Sequence, residues 1–301
     1  MANLKQIRKH IASVQSTGKI TKAMKMVAVS KLKKSQAAVM ATRPYVNELI
    51  NTIEHLVLKT DASQHPLLRN SEQKKTAVLI VISGDKGLCG AYNHNIVKSA
   101  KRFVAERKDK YEKLHLVFIG RKAYEAMKRV EGVEKELMEG ALNRSVSEVA
   151  LEVSKGLCEK FAEGAIDEAF ILYTVFKSAI SQSVVLDGVL PLQSVLLNCD
   201  ADGNSNLTEE EKAVMSETTY TYEPSSHEIL DVLLPRAVAI HVQRSLLEGI
   251  ASENGARMTA MDNASKNAVE MIGRLTLQFN RARQAAITTE LIEVVSGAEA
   301  L

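Results

Sequence analysis

The sequence has no tryptophan, few aromatics, three cysteines and no acidic residue before Glu48. With aromatics at only 4%, any core must be built from Leu, Ile, Val, Ala and Met. Many small residues suit close helix–helix approach better than a bulky globular interior. No apolar run approaches the roughly 18 residues that a membrane helix needs. Cys89, Cys158 and Cys199 lie far apart, with no Cys-x-x-Cys, which excludes a disulfide framework and points to a reduced compartment. The histidines are scattered without zinc-ligand spacing, and there is no Gly-x-Ser-x-Gly. None of these patterns marks a catalytic centre.

What the N-terminus has instead is charge of one sign. Its first 47 residues hold ten Lys or Arg, although the chain's net charge is only +3. A one-sign helix of that length faces anions: an acidic protein loop, a nucleic acid or a membrane surface.

Apolar periodicity supplies the frame. From Ser226 to Ala285 a 3–4 spacing runs through Leu230, Leu233, Ala237, Ile240, Arg244, Leu247, Ala251, Asn254, Met258, Met261, Ser265, Ala268, Ile272, Leu275, Phe279 and Ala282. A heptad-like stripe of that persistence is a coiled-coil signature, and the helix it predicts is roughly 90 Å long at 1.5 Å per residue. It needs a long partner. Residues 3–58 offer one, with Leu4, Ile7, Ile11, Val14, Ile20, Met24, Val27, Leu32, Val39, Val46, Leu49, Ile53 and Leu56 on one stripe. That row is thin in the middle, at Gly18 and Thr21, and a bend is expected near Pro44.

Between the two stripes the pattern changes. Ala77–Ser83 is a continuous apolar run, as in a buried parallel strand. Asn93–Arg107 reads as helix, Leu114–Gly120 as strand, Ala123–Val130 and Ser145–Ala162 as helices, Ala169–Phe176 and Ser183–Leu197 as strands, and Thr218–Tyr222 as a last strand. This alternation argues a small open sheet with helices on its faces. The predicted fold is therefore α/β: a long antiparallel coiled coil of the N- and C-terminal helices, with an inserted open-sheet, Rossmann-like domain. The expected divisions are 1–60, 76–223 and 225–301.

Two loops invite chemistry. Gly84-Asp-Lys-Gly-Leu-Cys-Gly90 sits between a strand and a helix, where nucleotide phosphates often bind, yet its glycine spacing misses both phosphate-loop templates. A turn that lets strand and helix pack closely is the simpler interpretation. Asp200–Glu211 places oxygen ligands as in a calcium loop, but Ser205 stands where the sharp turn needs glycine. A solvated acidic connection is the simpler reading. Tyr220 and Tyr222 alternate along an edge strand or an interface.

Four separated stretches then carry a resemblance. IRKHIASVQSTGKITKAMKMVAVSKLKKSQ at the start, SGDKGLCGAYN, YTYEP, and ASENGARMTAMDNASKNA with FNRARQAAITTELIEVVSGAEAL at the end are similar to motifs of the gamma subunit of the F-type ATP synthase, bacterial type. The resemblance implies a central rotor shaft, not catalytic itself and without a cofactor, that couples proton flow to ATP synthesis. It implies as partners the alpha and beta subunits of a hexamer, an epsilon subunit and a c-subunit ring, with neither nucleic acid nor direct membrane insertion. The place is the cytoplasmic face of the bacterial inner membrane. By position in the motifs, Met24, Arg283, Gln284, Thr288, Thr289 and Glu290 would meet the beta subunit, and Tyr220, Tyr222 and Glu223 the c ring. Cys199 has no nearby partner for the thiol regulation of chloroplast members. Two other classes remain at this point: a basic coiled coil binding nucleic acid or membrane, and a nucleotide-binding enzyme using the 84–90 loop.

Overall fold

A computed structural model describes residues 4–59, 65–69, 74–178, 181–192, 223 and 225–299. The expected strand at Thr218–Tyr222, the acidic stretch Asp200–Glu211, Cys199, Tyr220 and Tyr222 lie outside the described residues. Helix α1 spans Leu4–Lys59 and runs through Pro44; helix α5 spans Ser226–Glu299 and runs through Pro235. Between them come β1 (Thr76–Ile82), α2 (Tyr92–Arg107), β2 (Lys113–Ile119), α3 (Arg121–Met127), β3 (Glu134–Leu137), α4 (Val146–Ala162), β4 (Glu168–Phe176) and β5 (Gln182–Leu190). The chain divides into two compact units, Met1–Ser30 with Arg257–Leu301, and Lys31–Ala256. Among the described residues no helix is long and apolar enough to cross a membrane.

In the first unit the two helices run antiparallel. Lys25 Nζ donates to Asp262 Oδ1 at 2.6 Å, and a Cβ built on Gly18 would lie 3.4 Å from the Ala268 Cβ. The thin middle of the N-terminal stripe is thus a place of close approach, with Thr21 buried beside it. Met261 and Ala268 are buried on the C-terminal side. That register carries Leu4 level with about Ala282, one residue of α1 answering one of α5. Beyond it α5 continues past the described residues of α1. From Arg283 to Ser296 every side chain is exposed except that of Ala286.

In the second unit a five-stranded sheet has the order β3-β2-β1-β4-β5, parallel throughout except for the antiparallel β4–β5 pair. Its central strand β1 is buried on both faces, which is why it reads as an unbroken apolar run. Ala77, Leu79 and Val81 pack with Leu116, Phe118 and helices α2 and α3. On the opposite face Val78, Ile80 and Ile82 pack with α4, with Leu49, Ile53 and Leu56 of α1, and with Leu230, Leu234, Val238 and Val242 of α5.

Two differences from the sequence pattern have physical causes. Strand β3 was not expected, because Glu-Lys-Glu-Leu is a poor strand composition. It is an edge strand whose charges guard the edge against further pairing, and His115 Nδ1 lies 2.9 Å from Glu134 Oε2 across the β2–β3 pair. Arg244, counted in the buried stripe, is instead exposed, the one exposed side chain between Val238 and Gly255. Here α5 is buried on a second side as well, against the sheet, so a single stripe does not describe it.

Candidate functional site

The candidate surface of the first unit is the helix pair itself. Lys25 and Lys266 both reach Asp262, the second at 3.0 Å. Their hydrogen bonds, that of Lys25 foremost, hold the Asp262 carboxyl below the usual carboxylate range. Lys19 and Lys22 flank an open groove that Met26, Val29 and Val269 also line. All three apolar side chains are exposed. The groove therefore offers cations and apolar surface together.

Met24 is half-buried on α1. Arg283, Gln284, Thr288, Thr289 and Glu290 are exposed on the part of α5 that extends past the described residues of α1. The Thr288 and Thr289 hydroxyls donate to the Gln284 and Ala285 carbonyls, each at 2.9 Å, so they serve their own helix. Ile287, Leu291, Val294 and Val295 are exposed nearby. The structure groups these C-terminal residues on successive turns but leaves Met24 about twenty positions away along the pair, roughly 30 Å at the helical rise. Glu223 is exposed. Cys158 is buried, and desolvation raises its thiol to about 11.

The other candidate, the 84–90 loop, belongs to the second unit. Gly84 N–H donates to Asn93 Oδ1 at 3.0 Å, and Arg121 N–H to Asp85 Oδ1 at 3.0 Å. The sheet order reverses between β1 and β4, and ligands of open α/β sheets bind beyond the strand ends at such a point. Here α5 fills it. A Cβ on Gly249 would lie 2.9 Å from Ile82 Cγ2, at the end of β1, and one on Gly84 would lie 2.7 Å from Glu253 Oε1. Phe176 N–H donates to Glu248 Oε2 at 2.9 Å, the Ser252 hydroxyl to the Thr174 carbonyl at 2.9 Å, and the Tyr92 hydroxyl to the Gly249 carbonyl at 3.1 Å. The loop packs under the helix at Gly84 and is exposed from Lys86 to Leu88, and the crevice a nucleotide would enter holds the chain's own side chains.

These seat residues escaped the sequence pattern. The signal was present as small residues at Ser245, Gly249, Ser252 and Ala256, spaced three and four apart beside the apolar stripe. Such spacing lets a helix backbone approach closely.

A partly buried polar group lies farther back along α5. His241 Nε2 is 3.8 Å from Asp187 Oδ2, which also accepts the Tyr173 hydroxyl at 2.8 Å. Desolvation lowers the His241 pKa, Asp187 opposing and Arg244 assisting. Burial and Asp187 push the Tyr173 phenol up. A histidine depressed in the folded state contributes stability that is complete above its ordinary value and is lost as pH falls below it. His241→Gln should therefore flatten the loss of stability between pH 7 and pH 5. Urea unfolding of both chains across that range is the check, and parallel curves would contradict it.

The first unit is an antiparallel helix pair carrying cations and exposed apolar side chains, and the second is a sheet domain whose crevice its own helix fills. A family profile described as ATP synthase matches residues 3–301. The chain is 44% identical over 301 residues to the ATP synthase gamma chain of Geobacter metallireducens, covering 100% of this chain and 99% of that one. Among solved structures, it matches a chain of the central stalk and c ring of the Tetrahymena thermophila mitochondrial ATP synthase at 25% identity and a TM-score of 0.55, over 82% of this chain and 99% of that chain. A chain of the Euglena gracilis mitochondrial ATP synthase shares the fold, with a TM-score of 0.66 at 20% identity over 99% and 94%. The chain belongs to the family of ATP synthase gamma chains. Its role is that of the non-catalytic rotor subunit in a membrane-associated ATP synthase complex.

Proposed function

We propose that the paired helices, residues 1–60 and 225–301, turn inside a hexamer of alpha and beta subunits while the inserted domain, 76–223, rests on a c ring beside an epsilon subunit. The work is done on the cytoplasmic face of the inner membrane. The observation that carries this reading is the first unit: an antiparallel pair whose N-terminal member is acid-free and whose C-terminal member continues past the described residues of the other with exposed apolar side chains. Cations on that pair suit acidic loops of a beta subunit, where charge complementarity gives specificity and register more than raw affinity. Met24 supplies the contact nearest such a loop. Arg283, Gln284, Thr288, Thr289 and Glu290 meet a second beta-subunit loop, and Tyr220, Tyr222 and Glu223 meet the ring.

Met24→Lys is the direct test. A cation added at this half-buried position gains an ion pair with the acidic loop that turning must repeatedly break. The assembled enzyme should keep hydrolysing ATP while ATP-driven proton pumping in vesicles falls well below that of the unmodified enzyme. Unchanged pumping would remove Met24 from the coupling surface.

A further inference from the structure

The seat of α5 on the sheet contains more polar bonding than packing requires. Val238, Val242 and Leu246 already bury that stretch of the helix in apolar surroundings. Apolar burial is non-directional: close packing resists the turning or sliding of a helix without tying any one residue to a fixed partner. Hydrogen bonds are directional and weaken steeply when the angle opens. Three of them join α5 to the strand-end region. Glu248, buried to 6% exposure, accepts from the Phe176 backbone N–H at the end of β4, and Ser252, fully buried, donates to the Thr174 carbonyl two residues earlier. From the first turn of α2, the Tyr92 hydroxyl reaches the Gly249 carbonyl. Gly249 and Gly255 bring the helix close enough: built Cβ atoms there would lie 2.9 Å from Ile82 and 2.8 Å from Phe176.

The geometry of the bonds opposes one motion in particular. Glu248 and Ser252 stand one turn apart on the same helix face, and both bond backbone atoms of a single strand, not mobile side-chain ends. Rotation of α5 about its axis would carry both away from β4 together. We propose that Glu248, Ser252 and Tyr92 are positioning residues for the rotary function, an anti-slip clamp that locks the sheet domain to the helix that carries the torque. The inference rests on the rotor role and adds residues to which that role assigns nothing.

The test uses the assembled ATP synthase in vesicles, with the unmodified enzyme first shown to retain this subunit and to pump protons on ATP addition; failure at that step would strike the rotor reading and not the clamp. Glu248→Ala, Ser252→Ala and Tyr92→Phe are then compared at matched rates of ATP hydrolysis. Each should reach a smaller steady proton gradient, because load makes the helix slip in its seat. Glu248→Gln should recover the gradient, since its amide oxygen still accepts the Phe176 N–H. If Glu248→Ala does not assemble, the single-hydroxyl removals at Ser252 and Tyr92 carry the same measurement. An unchanged gradient in intact complexes of Ser252→Ala and Tyr92→Phe, or a Glu248→Gln enzyme as impaired as Glu248→Ala, overturns the proposal. A merely structural role would lower the amount of complex without changing the gradient reached per ATP hydrolysed.

Discussion

Gly120→Ala should leave little folded protein. Gly120 follows β2 and precedes α3, with φ +111° and ψ 130°, a region that side chains other than glycine's rarely enter. A Cβ there would stand 2.1 Å from the Ser83 carbonyl oxygen and 2.7 Å from its hydroxyl. Neither can retreat. Ser83 N–H donates to the Ile119 carbonyl at 2.8 Å, and its hydroxyl lies between the Gly120 carbonyl at 3.1 Å and the Ala123 N–H at 3.2 Å. The backbone term alone is about 1–3 kcal/mol. The overlap and the broken bonds around Ser83 raise the total to on the order of 4 kcal/mol or more. Gly132→Ala is the control. Its φ is +79°, but nothing lies within 4 Å of its Cβ, so it should cost only about 1–2 kcal/mol. Soluble yield and thermal melting of the two variants would separate the causes, and equal losses would refute the steric account.

Ile53→Ala is the second large effect. Ile53 is fully buried in the cluster that α1 and α5 form with one face of the sheet, near Leu230, Leu234 and Val238. Truncation removes three buried carbon atoms and leaves a cavity among packed helices. The expected loss is about 2–5 kcal/mol. Met40, on the same helix but 63% exposed, should tolerate alanine within about 0.5 kcal/mol. Two compact units need not unfold together, so the readout should be amide hydrogen exchange in β1 and β2 of the full-length chain. Unaltered protection there in Ile53→Ala would mean that α1 does not help hold the sheet.

These two positions also show what the sequence does and does not disclose. Ile53 was visible, because apolar residues at helical spacing mark a buried face whatever they pack against. β1 was visible for a similar reason: burial on both faces leaves no polar positions to break the run. Gly120 gave less away. A glycine at the end of a strand pattern is common, and only the backbone shows that this one touches Ser83. β3 was hidden because an edge strand selects charge over strand propensity. Arg244 falls on the apolar stripe yet is exposed, because α5 has two buried sides there and no single stripe describes it. The clamp at Tyr92, Glu248 and Ser252 joins residues far apart in the chain, and no local pattern pairs them. Of the proposed contact residues, Met24 and the 283–290 group came from motif resemblance and not from their chemistry, since an apolar methionine and exposed polar side chains are ordinary on any helix.

The far end of α5 has a consequence for how such a protein is made. Past about Ala282 it extends beyond the described residues of α1, and Ile287, Leu291, Val294 and Val295 stand on one of its faces, 48–71% exposed. An isolated helix of that length is marginal in water, and a run of greasy side chains invites unwanted company. A cell that made this polypeptide before its neighbours would hold a sticky, fraying end in need of a sleeve. An order of synthesis that brings the neighbours first, or a chaperone that lends temporary cover, would spare it that exposure.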